Sequence, residues 1–167
     1  LHAYLRRGGR VLGICAGMQM LGRTVRDPQR MEGTHAHCAG LGLLDLDTTM
    51  TAQKTLREVA GIEISSGARI EGYEMHIGLS HGPATGNPMI RFDDGSVDGA
   101  IAANGRIMGC HVHGLFQSTA YRAALIASLG GQSSGDDHAA RVDAALDEIA
   151  QSLARAIDVE ALIAIAR

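Results

Sequence analysis

The order of apolar and polar stretches near the start of the chain predicts a helix, a strand and a second helix. Residues 1–7 are typical of the end of a helix, which Gly8-Gly9 would terminate. The apolar run 10–14 (RVLGI) is typical of a strand buried in a parallel sheet. Residues 16–23 then follow with helical spacing. This succession indicates an α/β fold, doubly wound, with a mostly parallel sheet flanked by helices.

Further strands are predicted in the middle of the chain. Leucine and threonine alternate with aspartate over 43–50, which indicates a half-exposed strand. A second strand is predicted over 69–78. Residues 100–112 read as a β-hairpin that turns at Asn104-Gly105, the strongest short hairpin signal.

Two helices are predicted after the hairpin. Ser118 is placed to cap a helix over 119–129. Beyond a polar connection at 130–137, apolar residues keep helical spacing over 139–157. Because the polar face of this last helix is not basic, we expect it to pack on the domain rather than lie on a membrane.

Composition limits the classes of function. The 167 residues suit one domain, and 46% hydrophobic residues are enough for a core. Lys and Arg are scattered and the net charge is −3, which disfavours nucleic acid binding. No apolar run approaches the ~20 residues of a membrane span. Three cysteines fit a reducing cytoplasm. The absence of an initiator Met indicates a fragment whose beginning is missing.

The sharpest signal for chemistry is 13–19 (GICAGMQ), between a predicted strand and a predicted helix. Such a junction can expose a nucleophile on a strained turn, and the flanking Gly13 and Gly17 would remove clashing side chains. The helix N-terminus favours thiolate, and the Ala16 N–H would face a developing oxyanion. We therefore predict that Cys15 is a nucleophile. The alternative is a buried structural cysteine.

A cysteine nucleophile needs a proton carrier, which is usually histidine. His111 and His113 lie at the end of a predicted strand, where open α/β sheets place their sites. Their spacing does not choose between them.

A metal site is the competing interpretation of the histidines and cysteines. One cluster contains His35, His37 and Cys38, and another contains Cys110 with the two histidines that follow it. Together they could close a metal site, but neither has the spacing of common zinc sites. The sequence therefore predicts no metal.

Seven segments resemble the cobyric acid synthase family, in the same order and over nearly the whole chain. They are 10–33 (RVLGICAGMQMLGRTVRDPQRMEG), 40–45 (GLGLLD), 54–56 (KTL), 72–78 (GYEMHIG), 98–100 (DGA), 105–109 (GRIMG) and 113–116 (HGLF). This combination is far more specific than the nucleophile turn alone.

The resemblance implies that 1–167 is the C-terminal part of a class I-type, flavodoxin-like glutamine amidotransferase domain with a β-hairpin near its catalytic histidine. The first strands of this domain and an N-terminal ATP-binding synthetase domain would be absent. Glutamine would be hydrolysed to glutamate and ammonia, and the ammonia would amidate carboxylates of adenosylcobyrinic acid a,c-diamide. ATP and Mg²⁺ would bind the synthetase domain, with no cofactor here. Partners would be L-glutamine and the corrinoid, and a homo-oligomer is compatible.

Site residues carry over by position. Cys15 matches the family's nucleophile, His113 its catalytic histidine and Gln19 a position that contacts glutamine. Tyr73 and His76 match a motif near the site, where a packing role is as consistent as substrate binding.

The chain also departs from the family pattern. The family commonly has Gly at the position of Ala16, and Thr-Tyr where this chain has Cys110-His111, which leaves His111 as a substitute base. Many class I relatives carry an orienting Glu where this chain has Leu115, so the resemblance implies a Cys–His dyad.

Two alternatives stay open: the amidotransferase domain of cobyrinic acid a,c-diamide synthase, and a non-catalytic, metal-stabilised homologue. Since a second oxyanion donor would lie upstream of Leu1, the chain alone is expected to be a poor glutaminase.

Overall fold

The computed structural model describes residues 1–166 and begins with the predicted helix–strand–helix. Helix α1 spans His2–Arg6, strand β1 spans Val11–Ile14 and helix α2 spans Ala16–Leu21. Gly8 adopts a φ of 91°, which lets the chain reverse between α1 and β1. These three predictions are confirmed.

The strands form two sheets. The smaller sheet has the order β1-β9-β8, where β8 is Ala100–Ile101 and β9 is Ile107–Cys110. The larger sheet has the order β10-β5-β4-β2-β3, with β6 and β7 attached through β4. Its strands are β2 (Thr24–Arg26), β3 (His37–Ala39), β4 (Asp47–Glu63), β5 (Arg69–His81), β6 (Ile90–Phe92), β7 (Val97–Asp98) and β10 (Val112–His113).

The α/β class is confirmed, but the prediction of a mostly parallel sheet is wrong for the described residues. Only β1–β9 and β2–β4 pair in parallel, and the remaining pairs are antiparallel. The dominant element is a long hairpin of β4 and β5. The predicted strand 43–50 starts and ends too early, because β4 begins at Asp47 and continues to Glu63 through the polar stretch 51–58. An antiparallel hairpin can keep one face in water, so its polar residues need no apolar partner.

The predicted hairpin over 100–112 is confirmed in its first part. Strand β8 pairs antiparallel with β9, and the chain turns between them at 102–106. The chain then leaves this sheet at His111, and β10 pairs antiparallel with β5 instead. The predicted second strand is therefore divided between two sheets.

The two C-terminal helix predictions have different outcomes. Helix α3 (Thr119–Ser128) begins as predicted, with Ser118 Oγ accepting the Tyr121 N–H. Helix α4 (His138–Ala156) confirms the helix predicted over 139–157, and helix α5 (Val159–Ile165), which was not predicted, follows it. The predicted packing is wrong, because no side chain of α4 or α5 is buried. An amphipathic pattern shows which face is apolar and not what covers it.

The core consists of two clusters. One joins the hairpin to α3 and contains Ile70, Met89, Ile90, Val112, Leu115 and Tyr121 among its buried members. The other packs α1 and α2 against β1 and the loop after β3, and contains Leu5, Met18, Leu21, Leu44, Leu46 and Ile107. Among residues 1–166, no helix has both the length and the apolar character needed to cross a bilayer.

Candidate functional site

Cys15 occupies a strained turn between β1 and α2. Its backbone φ of 55° and ψ of −118° are rare for a residue other than glycine. The surrounding backbone holds this conformation, since the Cys15 N–H donates to the Cys110 carbonyl at 2.8 Å and the Cys15 carbonyl accepts the Met18 N–H at 2.9 Å. The predicted strand–turn–helix geometry is therefore confirmed.

The Cys15 side chain is partly exposed, unlike that of a structural core cysteine. Its Sγ lies 3.7 Å from the Met75 carbonyl oxygen on β5. Cys110 differs, because it is fully buried and burial raises the pKa of its thiol to about 12. Of these two neighbouring thiols, only Cys15 has the exposure that a nucleophile needs.

The two glycines that flank Cys15 have different roles. A Cβ on Gly13 would lie 2.7 Å from the Gly17 carbonyl carbon and 2.7 Å from Leu21 Cδ1, so β1 and α2 can approach only with glycine there. A Cβ on Gly17 would meet no atom within 4 Å. The predicted steric requirement is confirmed for Gly13 and is wrong for Gly17, which faces open space.

His113 ends β10 and lies opposite Tyr73 on β5. The two rings are stacked, with centroids 5.1 Å apart and an angle of 7° between their planes. His113 Nε2 is buried and has no hydrogen-bond partner within residues 1–166. Leu115, the position at which the resemblance implies an orienting acid in many class I enzymes, is in the core and only 1% exposed. Leu115 therefore does not orient the His113 ring, whereas Tyr73 packs against that ring.

The structure places both Cys15 and His113 close to the end of β9 and to one part of β5. The Cys110 carbonyl that binds the Cys15 N–H lies three residues before His113. On β5, the Met75 carbonyl that contacts Cys15 Sγ lies two residues after Tyr73. Two residues along a strand span about 7 Å, so both side chains lie beside one short length of β5.

A buried polar network lies beside this pair. His111 Nδ1 lies 2.8 Å from Asp98 Oδ1, and the His111 N–H donates to Asp98 Oδ2 at 2.7 Å. The His111 ring stacks on His76, with centroids 4.1 Å apart. His76 Nε2 is 4.0 Å from Glu74 Oε1, and Glu74 accepts a 2.5 Å hydrogen bond from Arg57 Nε. The structure therefore places His76 in a buried stack, and His111 is bound to an acid.

Two pKa shifts follow from this burial. Burial lowers the pKa of His76, the positive charge of a protonated His111 lowers it further, and Glu74 and Asp98 oppose the shift. Burial raises the pKa of Asp98, but hydrogen bonds and the charge of His111 outweigh it and leave that pKa lowered. We expect His76 to be neutral and Asp98 to be ionised at neutral pH.

Asp98 was not predicted as a site residue. Its segment, 98–100, contributed to the family resemblance without a role. No local pattern could identify its partner, because the contact with His111 forms only when β7 and the end of β9 come together.

Gln19 and Ala16 line a cavity of about 320 Å³ beside the nucleophile turn. Gln19 is buried and its Nε2 donates to the Ile77 carbonyl at 3.1 Å, so part of its amide is used within the fold. His35 and Cys38 also line this cavity.

The two clusters proposed for a metal site lie apart. His37 and Cys38 belong to β3 at one end of the larger sheet, and His113 belongs to β10 at the other end. Within residues 1–166, no three His, Cys, Asp or Glu side chains form a group that could hold a metal ion.

Known proteins resemble this chain over most of its length. The sequence profile of the CobB/CobQ-like glutamine amidotransferase domain matches residues 1–121. Cobyric acid synthase of Caulobacter sp. (strain K31) is 54% identical over 164 residues, which are 98% of this chain and 34% of that protein. Cobyric acid synthase of Bradyrhizobium sp. (strain BTAi1) is 52% identical over 167 residues, 100% of this chain and 34% of that protein. Cobyric acid synthase of Rhizorhabdus wittichii is 50% identical over 167 residues, which are 100% of this chain and 34% of that protein.

The chain thus spans about a third of the length of these relatives, at 34% of each. The profile covers well over half of the chain, and the relatives match nearly all of it. The chain therefore belongs to the CobB/CobQ-like glutamine amidotransferase family.

Proposed function

We propose that this domain hydrolyses L-glutamine to glutamate and ammonia, with Cys15 as the nucleophile and His113 as the proton carrier. The observation that carries the proposal is the strained, partly exposed Cys15, whose Sγ lies against the strand that packs on His113. Membership of a glutamine amidotransferase family supports the choice of substrate.

The proposed reaction uses the Cys15 thiol, the Ala16 N–H and His113 Nε2, which has no hydrogen-bond partner within residues 1–166. His113 Nε2 accepts the proton of the Cys15 thiol, and the sulfur attacks the side-chain amide carbon of glutamine. The Ala16 N–H, at the first position of α2, has no intrahelical acceptor and can donate to the oxyanion. The C–N bond then breaks, His113 returns the proton to the departing ammonia, and water hydrolyses the glutamyl thioester.

The acceptor of the ammonia is suggested by the relatives. All three named above are cobyric acid synthases, which supports that enzyme over the a,c-diamide synthase alternative. The ammonia would amidate carboxylates of adenosylcobyrinic acid a,c-diamide in cobalamin biosynthesis. That step needs ATP and Mg²⁺, which we assign to a synthetase domain and to no residue of this chain.

A covalent label tests the nucleophile. The electrophilic glutamine analogue 6-diazo-5-oxo-L-norleucine should modify the 167-residue chain once, at Cys15, as measured by intact and peptide mass spectrometry. Cys15→Ser should abolish labelling. Cys38→Ser is the matched control, because Cys38 is more exposed but lies on β3, and it should label normally. Equal labelling of Cys15→Ser, or modification at Cys38, would overturn the proposal.

A second variant tests the proton carrier. His113→Gln should slow labelling by about 10²–10⁴-fold, the usual contribution of a general acid–base group. His37→Gln removes an exposed histidine on β3 and should label at the wild-type rate. If His113→Gln also labels at that rate, His113 does not carry the proton.

A further inference from the structure

The buried pair Asp98–His111 sits where the chain passes from one sheet to the other. His111 is the single residue between β9 of the smaller sheet and β10 of the larger sheet. Both oxygens of Asp98 are used on it, one by its backbone N–H and the other by its ring Nδ1. The side chains are 7% and 8% exposed, so water competes little for either bond. One carboxylate therefore fixes both the backbone and the ring of His111.

His111 lies in the chain between the two groups that the proposed reaction needs. Immediately before it, the Cys110 carbonyl binds the Cys15 N–H and holds the strained turn. Two residues after it, His113 stacks on Tyr73. A shift of His111 would be transmitted through short, extended backbone in both directions.

The ring of His111 also ties this junction to β5. It stacks on His76, which neighbours the Met75 carbonyl in contact with Cys15 Sγ. Because Asp98 accepts at Nδ1, the tautomer of His111 is set and its ring orientation is fixed. Its Nε2 is buried without a hydrogen-bond partner within residues 1–166, as is His113 Nε2, so what distinguishes His111 is the acid bound to its Nδ1. His111 is thus suited to hold the site in place.

We infer that Asp98 and His111 form a positioning pair that holds His113 and the Cys15 turn in register, in place of an acid that binds the catalytic histidine directly. This inference rests on the proposed function and deepens it. It accounts for a dyad whose histidine has Leu115 where an orienting acid could stand. Instead, Asp98 binds His111, two residues before His113, and so holds the backbone that leads to His113.

Labelling kinetics with the same glutamine analogue separate positioning from binding and from folding. Asp98→Ala and His111→Ala should each lower the limiting rate of Cys15 labelling at saturating analogue by at least tenfold. The half-saturating concentration should change less than threefold. Asp98→Asn keeps the shape and one acceptor, so it should show a smaller loss and serves as the variant that folds.

The control is another buried carboxylate. Glu63 accepts hydrogen bonds from the Ser65 and Ser66 N–H groups at a turn remote from Cys15. Glu63→Gln should lower the Tm without changing the limiting rate, measured well below the Tm of every variant. A rate loss in Glu63→Gln equal to that in Asp98→Asn would mean that any loss of stability slows labelling, and would overturn the inference.

A double-mutant cycle shows whether the pair acts through His113. If it does, Asp98→Asn should slow labelling by a smaller factor in His113→Gln than in the wild-type background, because only the effect through the Cys15 turn then remains. Equal losses in both backgrounds would overturn the inference. Failure of the proposed function is a distinct result, because then wild-type Cys15 would not be labelled at all.

Discussion

The contact between Gly13 and α2 provides the most direct test of the nucleophile turn. In Gly13→Ala, the new Cβ would lie 2.7 Å from the Gly17 carbonyl carbon and 2.8 Å from the Gly17 oxygen. The third close atom, Leu21 Cδ1, can rotate away, but the backbone of Gly17 cannot. Ordinary contact begins at 3.4 Å, so α2 must move away from β1 by about 0.7 Å.

This displacement should reduce both stability and reactivity. Inserting a methyl group into a closely packed contact costs about 1–3 kcal/mol. For a chain of this size, that corresponds to a fall in Tm of about 2–12 °C. The displaced helix carries the Ala16 N–H, and a misplacement of about 1 Å can cost about 10²-fold in rate. We expect Gly13→Ala to label with the glutamine analogue at least tenfold more slowly.

Differential scanning calorimetry and labelling kinetics would measure the two effects. Gly17→Ala is the matched control for stability, because the same methyl group meets no atom within 4 Å. Its Tm should stay unchanged or rise, since alanine in a helix is more favourable than glycine by up to about 1 kcal/mol. A Gly13→Ala protein with wild-type Tm and wild-type labelling rate would refute the steric account of the turn.

Four further outcomes follow from contacts elsewhere in the chain. Gly72→Ala would place a Cβ in a clash with the His113 carbonyl oxygen, so it should separate β10 from β5 and slow labelling at least tenfold; an unchanged rate contradicts this. Because burial lowers the pKa of His76, the unfolded chain binds a proton first as pH falls below about 6.5, and stability should be lost there. Urea unfolding at pH 7 and pH 5 should show a smaller loss in His76→Gln, and an equal loss excludes His76 as the source. Ser118→Ala removes a helix cap and should lower the free energy of unfolding, measured with urea, by about 1 kcal/mol. The control Ser152→Ala, at an exposed position on α4, should leave it unchanged. Deleting 138–166 removes no buried side chain, so helical circular dichroism should fall while the Tm stays constant; a clearly lower Tm would show that these helices support the domain.

The parts of the fold that sequence could predict are those set by local chemistry. The turn at Cys15 was predictable because an apolar run, a glycine and a helical pattern follow one another within a few residues. The cap at Ser118 and the turn at Asn104-Gly105 are local in the same way, since each depends on residues within one turn of the chain.

The parts that could not be predicted depend on contacts between distant segments. The stretch 51–58 carries no strand signal of its own; residues 54–58 pair with β5, and 51–53 lie where the register between the two strands shifts. The contact between Asp98 and His111 requires two strands from different sheets to meet. For α4, the periodic pattern was correct, but no surface of residues 1–137 covers it.

The division of the site between two sheets explains why its residues could be named but not arranged. The smaller sheet supplies the carbonyl that fixes the Cys15 backbone, and the larger sheet supplies both His113 and the Met75 carbonyl against the sulfur. The distance from sulfur to imidazole is therefore set by how the two sheets are held together, and His111 is one of the residues that link them in the chain. It follows that a change at the junction can slow the reaction while both reacting side chains remain. Substitution of Asp98 should therefore slow the reaction, although Asp98 touches neither reacting atom in the proposed mechanism.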